Sequence, residues 1–233
     1  MLEFLTYDLK VAVLIAVFYM FYRLLLARET FHRVNRIVLL LTALASFVLP
    51  LCVITMHRTV EMNASVLVEG GMWHVERDMS DAEYSLSSLL LPLASILFII
   101  GLVATFAHTL WSVFRILSLI KHSEQHPQDD GTILCVTGNA DLAPFSWMHY
   151  IVMNRSDYET RDAAILAHER GHIRLHHSWD VLLVDVLTAL QWFNPAIWML
   201  RSDLRAIHEY EADGAVLSQG INARQYQYLL ITK

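Results

Sequence analysis

Residues 37–56 contain no Asp, Glu, Lys or Arg, and neither do residues 84–114. These runs are 20 and 31 residues long, and a helix needs about 20 apolar residues to cross a hydrocarbon core about 30 Å thick. Both read as transmembrane helices. A third apolar run, Val11–Tyr22, lies between Lys10 and Arg23. The long side chains of these two cations can snorkel to the interfaces, which extends that span to residues 5–26. With 55% hydrophobic and 17% charged residues, the chain is too apolar for an ordinary soluble domain. The expected membrane domain is therefore residues 1–120, with spans near 5–26, 37–56 and 88–112 and an extracytoplasmic loop at 57–85.

The first apolar run is not a cleaved signal peptide on this reading. Asp8 stands where a basic start is expected, no small-residue cleavage site follows, and the charged stretch YRLLLARETFHRVNR continues the chain. The distribution of charge then orients the spans. Residues 23–36 carry Arg23, Arg28, Arg33 and Arg36 against Glu29, whereas residues 57–85 carry six acidic residues against Arg58 and Arg77. The positive-inside rule puts the first loop in the cytoplasm and the second outside, with the amino terminus outside as well. Arg115 and Lys121 mark the cytoplasmic end of the third span, so everything from about residue 121 is expected on the cytoplasmic side. Cys52 and Cys135 suggest no disulfide framework.

The polar stretch KHSEQHPQDDG, residues 121–131, reads as a linker opening a second domain at 121–233. TILCVTG and HYIVMNR have the β-branched and aromatic character of strands. SDYETRDAAILAHERGHIRLHH opens with a Ser or Asp cap and continues with helix formers. A further helix is expected from Pro195 through Ala215, capped by Asn194. Residues 181–200 are apolar but interrupted by Asp185, Gln191 and Asn194-Pro195, which favours a core or interfacial helix pair over a fourth span. The stretch 143–155 looks like an edge strand that could accept an extended peptide by main-chain hydrogen bonds. His108 is placed at the interfacial end of the third span.

Within AHERGHIRLHHSWD, residues 167–180, His168, Glu169 and His172 form H-E-x-x-H. On a helix, positions i and i+4 share a face, so two imidazoles can grip one tetrahedral Zn²⁺ while the adjacent glutamate reaches water for general-base chemistry. A catalytic zinc normally takes three protein ligands. HEYEADGAV, residues 208–216, offers His208, Glu209, Glu211 and Asp213. The first three cannot all point one way, but Glu209 and Asp213 are four apart and share a face.

HERGHIRLHHSWD, WFNPAIW and EYEAD together resemble the membrane-embedded zinc metallopeptidases of the BlaR/MecR antirepressor type. E-x-x-A-D is also similar to the third-ligand motif of the broader gluzincin peptidases. The amino-terminal TYDLKVAVLIAVFYMFYRLLLARETFHRVNRIVLL resembles that group's first spans. The resemblance implies a mainly α membrane protein whose transmembrane helices precede a cytosolic α+β gluzincin-like peptidase domain with a small sheet. It implies Glu209 as the third zinc ligand beside His168 and His172, Glu169 as general base, and Asp213 as an outer residue. Asp213, and with less reason Asp180, would accept the second ring N–H of a ligand histidine. Arg205, Arg201 or a histidine of the 176–177 pair would face the developing oxyanion. The simpler expectation for His176 and His177 is exposure at a helix carboxyl end.

The function implied is an integral endopeptidase of the bacterial inner membrane, acting in signal transduction on a polypeptide substrate, either a transcriptional repressor or the chain itself. Its other partner is the lipid bilayer, with no direct contact to nucleic acid. Two alternatives stand beside it: a housekeeping protease of membrane proteins, and a signalling scaffold with a structural zinc. A structural site has no use for a general base at Glu169. Members of this group usually continue with another span and an outer domain, so the chain reads as a short form or a fragment.

Overall fold

The computed structural model describes residues 2–52, 86–160 and 162–220. The expected extracytoplasmic loop lies outside them. Among the described residues, helix α1 (Leu2–Leu25), helix α2 (His32–Val48, prolonged by a 3₁₀ turn at Leu49–Leu51) and helix α3 (Leu86–His122) come first. All three are long and apolar enough to cross a membrane. The second is helical to Leu51, and residues 53–56 of its expected span lie outside the described residues. The third runs ten residues past the expected end at 112. In those extra turns Val113, Ile116, Leu119 and Ile120 pack on Cys135, Trp147 and Val152 of the sheet.

That sheet has four strands in the order β1-β2-β4-β3: Glu124–Pro127, Ile133–Thr137, Tyr150–Asn154 and Phe145–Trp147. Strands β2 and β4 are parallel, and both outer pairs are antiparallel. Strand β1 occupies part of the stretch read as a linker. Its polar residues face solvent along an edge, and a turn closed by Gln128 and Thr132 with Gly131 at φ +80° folds it onto β2. The stretch 143–155 is likewise a hairpin rather than one edge strand. β3 is the edge and β4 lies inside the sheet. Period-two alternation gives the sheet two faces. Cys135 and Val152 meet α3, while Leu134, Ile151 and Met153 meet Tyr158, Leu166 and Ile173 on the other side.

Helices α4 (Arg155–Thr160), α5 (Ala163–Arg174), α6 (His177–Leu190) and α7 (Pro195–Ser218) complete the fold. Asp162 caps α5 by accepting from the Ala164 N–H at 2.8 Å, and Asn194 caps α7 by accepting from the Ala196 N–H at 3.0 Å. Segment 181–200 is thus a helix pair broken at the Asn-Pro cap. The largest apolar cluster draws on both parts of the chain, with Val11, Ile15, Tyr19 and Leu39 of α1 and α2 against Val184, Leu187, Ile197, Leu200 and Leu204 of α6 and α7. Helices α5 and α7 approach closely because residue 171 is glycine. A Cβ there would lie 3.2 Å from Ala215 Cβ and 3.3 Å from Ala212 Cα. This approach brings the histidine face of α5 against Glu209 of α7.

Candidate metal centre and active site

His168 and His172 stand one turn apart on α5 with their Nε2 atoms 3.1 Å apart. Glu209 Oε2 lies 3.3 Å from His168 Nε2 and 3.8 Å from His172 Nε2. Two ligands held at about 2.0–2.1 Å by a tetrahedral zinc lie roughly 3.3 Å from each other, so the three separations suit that ion. Among the described residues these three side chains form the group whose ligand atoms converge in this way.

The surrounding hydrogen bonds assign the tautomers, and they suit a cation as well. Asp213 Oδ1 is 3.1 Å from His168 Nδ1, which therefore carries the proton and leaves the Nε2 lone pair facing the centre. His177 Nε2 donates to Glu211 Oε2 at 3.0 Å, so His177 Nδ1 accepts from His172 Nδ1 at 2.8 Å. His172 Nε2 is then a second lone pair. Two lone pairs and a carboxylate oxygen around one point repel one another until a cation lies between them. Burial depresses the His172 pKa to about 4, which keeps that ring neutral as a metal ligand requires. At His168 burial pulls the same way, but the bond to Glu209 and the charges of Glu169, Glu209 and Asp213 outweigh it and raise the pKa.

Glu169 is buried beside this group, and burial raises its pKa. A hydrogen bond from Ser146 of β3 works against that rise. A carboxylate lifted in this way is the better proton acceptor. The centre lies in a cleft of about 500 Å³, with Phe145, Ser146 and Trp147 of β3 along one wall and Arg205 and Glu209 of α7 along the other.

Of the other residues singled out from the sequence, Arg205 lines this cleft. Arg201 is turned away to Asp185. Asp180 touches neither proposed ligand histidine. It accepts from His208 Nε2 at 2.9 Å and from Arg36 Nε at 2.6 Å. Burial opposes ionisation of Asp180, but these two bonds prevail and lower its pKa. The expectation for the histidine pair is corrected for one member. His176 is exposed, whereas His177 begins α6 and is only 3% exposed. The left-handed turn at His176, φ +59°, swings the next side chain inward onto His172. His177 was read as exposed or as an oxyanion candidate and His208 and Glu211 only as alternatives for the third ligand, whereas Ser146 was missed and Arg36 counted only as a topology charge. The doubled histidine five positions after His172 was a signal for the first of these. Nothing local marks Ser146 or Arg36.

The family model for the BlaR1 peptidase, M56, matches residues 147–232. This stretch of the chain is similar to the BlaR1 peptidase family. The match begins on the edge strand of the cleft and includes His168, Glu169, His172 and Glu209. The match supports a peptidase, and three helices long and apolar enough to cross a membrane precede the matched stretch. No curated protein matches the chain.

Proposed function

We propose that this protein is a membrane-embedded zinc endopeptidase whose catalytic domain, residues 121–233, faces the cytoplasm. In this reading it transduces a signal by cutting a repressor or itself. The observation that carries the enzymatic part is the convergence of His168 Nε2, His172 Nε2 and Glu209 Oε2 beside a buried glutamate, in a cleft walled by a sheet edge. His168, His172 and Glu209 would hold zinc, which would supply Lewis acidity at the scissile carbonyl.

The chain's own residues do the rest. An extended substrate pairs its main chain with the open edge of β3, whose other edge is taken by β4. Glu169 takes a proton from the attacking water and delivers it to the leaving amine. Arg205 stands in the cleft wall where a carbonyl oxygen gaining negative charge would face it. Asp213 holds the His168 ring by its Nδ1 proton, and His177 does the same for His172. The orientation rests on the four arginines of residues 23–36 against the acidic stretch at 57–85. It places α1 with its amino terminus outside.

Glu169→Gln tests the reading, since the amide is nearly isosteric but cannot take the proton. Hydrolysis should fall by about 10²–10⁴ while zinc content stays at the native level. A variant that cuts as fast as the native chain removes Glu169 from the chemistry. One that cuts nothing while still signalling in cells replaces the transducing protease with a scaffold. Cleavage that proceeds at the same rate with and without any external stimulus favours the housekeeping protease.

A further inference from the structure

We propose that Arg36 is a positioning residue of the metal centre, through which the placement of membrane helix α2 sets the orientation of His172 and the zinc affinity of the site. The inference rests on the metallopeptidase reading above. Arg36 lies in the second turn of α2, its side chain only 15% exposed, and all three guanidinium nitrogens are engaged. Nε donates to Asp180 Oδ2 at 2.6 Å, Nη1 to Glu211 Oε2 at 3.1 Å and Nη2 to the Leu175 carbonyl at 2.7 Å. Those acceptors belong to the end of α5, the first turn of α6 and the middle of α7. One planar cation therefore holds together the helices that carry the site.

Two paths lead from it to the ligands. Glu211 Oε2 also accepts from His177 Nε2, and His177 Nδ1 accepts from His172 Nδ1. Asp180 Oδ2 also accepts from His208 Nε2, one residue before Glu209, and the His208 ring stacks on His177 at 4.0 Å. Without the guanidinium, two largely buried carboxylates lose the charge that compensates them, and neither His177 nor His208 has its acceptor held in place. Lysine cannot supply the fork, because an ammonium is a point charge without the planar donor geometry. Helix shifts of about 1–2 Å are common in switching proteins, and contacts of 2.6–3.1 Å do not survive them. A displacement of α2 would thus reach His172 without any change in the ligands themselves. Another tie between a membrane helix and the catalytic helices, Arg23 of α1 to Asp203 at 3.3 Å, is exposed. No bond of Asp203 leads on to the site.

The experiment compares full-length native chain, Arg36→Gln, Arg36→Lys and Arg23→Gln in detergent. It measures zinc affinity by chelator competition and the visible spectrum of the cobalt(II)-substituted protein. Arg36→Gln should lose about 10-fold or more in zinc affinity and shift the cobalt spectrum, as expected when a partner behind a ligand is lost. Arg36→Lys, which keeps the charge and guards against loss of folding, should fall between that variant and the native chain. Arg23→Gln should match the native chain in both measurements. In a His177→Phe background, Arg36→Gln should add less than about 3-fold, because much of its effect passes through that ring. Native affinity and spectrum in Arg36→Gln, or losses that simply multiply in the double variant, overturn the proposal. A native chain that takes up no zinc overturns the metallopeptidase reading instead. The relay is then judged on ¹⁵N spectra of the histidine rings in the metal-free chain. A changed His177 tautomer in Arg36→Gln supports it, and unchanged rings overturn it.

Discussion

The two amino-terminal helices and the third apolar helix look alike in the sequence, yet they meet the catalytic helices differently. About 22% of the apolar window of α1 and of α2 is buried inside the protein, against 6% for α3. α1 and α2 also send polar side chains inward. Gln191 of the α6–α7 turn donates to Asp8 of α1, Asn194 donates to the Ala12 carbonyl, Tyr19 donates to Asp203, and Arg36 holds three elements. The polar tie of α3 to this region is sparser: Thr105 donates to the Ala189 carbonyl at 3.4 Å, while Trp192 of the α6–α7 turn lies over Gly101 and Leu182 of α6 packs in the cluster around Ile120. Hydrophobicity alone does not distinguish a helix that belongs to the catalytic core from one that mainly meets lipid. What separates them is which polar side chains find partners across the interface.

The largest effect expected from this contrast is at Leu39, which is fully buried between α2 and the catalytic helices. Leu39→Ala should destabilise by about 2–5 kcal/mol through lost packing. Leu97→Ala on the exposed face of α3 should stay within about 0.5 kcal/mol of the native chain. Thermal or denaturant unfolding in detergent measures both, and equal losses would erase the contrast.

Gly101→Ala probes the contact that α3 does make. A Cβ there would come within 2.2 Å of the Trp192 ring, so the indole must move or the helices must part, at a cost of about 1–3 kcal/mol. Unfolding of the variant together with Trp192 fluorescence reads this. An unchanged pair of values would mean that α3 is not seated on the α6–α7 turn through this ring.

The smallest effect concerns pH. Asp180 has a depressed pKa in the folded chain, so it contributes stability above its unfolded pKa of about 3.9 and loses that contribution as pH falls through the lower, folded value. Native protein should therefore weaken as pH drops from about 5. Asp180→Asn should be less stable by about 1 kcal/mol at neutral pH and flatter across that acidic range. A native-like acid slope in the variant would assign the dependence to other carboxylates.

The three apolar helices and the H-E-x-x-H pair were legible because each is set by local rules, namely length without charge and a spacing of four on a helix. Glu209 needed the resemblance, since spacing alone left several residues of HEYEAD open. Strand β1 was hidden because its residues are polar and only pairing with β2 makes them a strand. Arg36 was read for its charge and not for its partners, which lie 139 to 175 positions away along the chain. The inward turn of His177 depended on a single left-handed residue that the composition of RLHHSWD does not announce.

Written as H-E-x-x-H, the motif leaves two wildcards, but in this protein only one of them is open. Arg170 points outward to Asp130 at 2.7 Å, and many side chains could take its place. Gly171 faces the Ala215 side chain and the Ala212 backbone across the close contact of α5 with α7, so an enlargement at 171 meets both a side chain that can shrink and a backbone that cannot. Residue 215 lies just beyond the EYEAD stretch and forty-four positions from 171, yet the two share one allowance of volume. A lineage that drifts at either site alone would wedge α7 away from α5 and carry Glu209 out of reach of the histidines. Variation at 171 is thus expected to be restricted by the backbone of α7 at 212 as well as by the side chain at 215, in a part of the chain where a motif search sees no constraint at all.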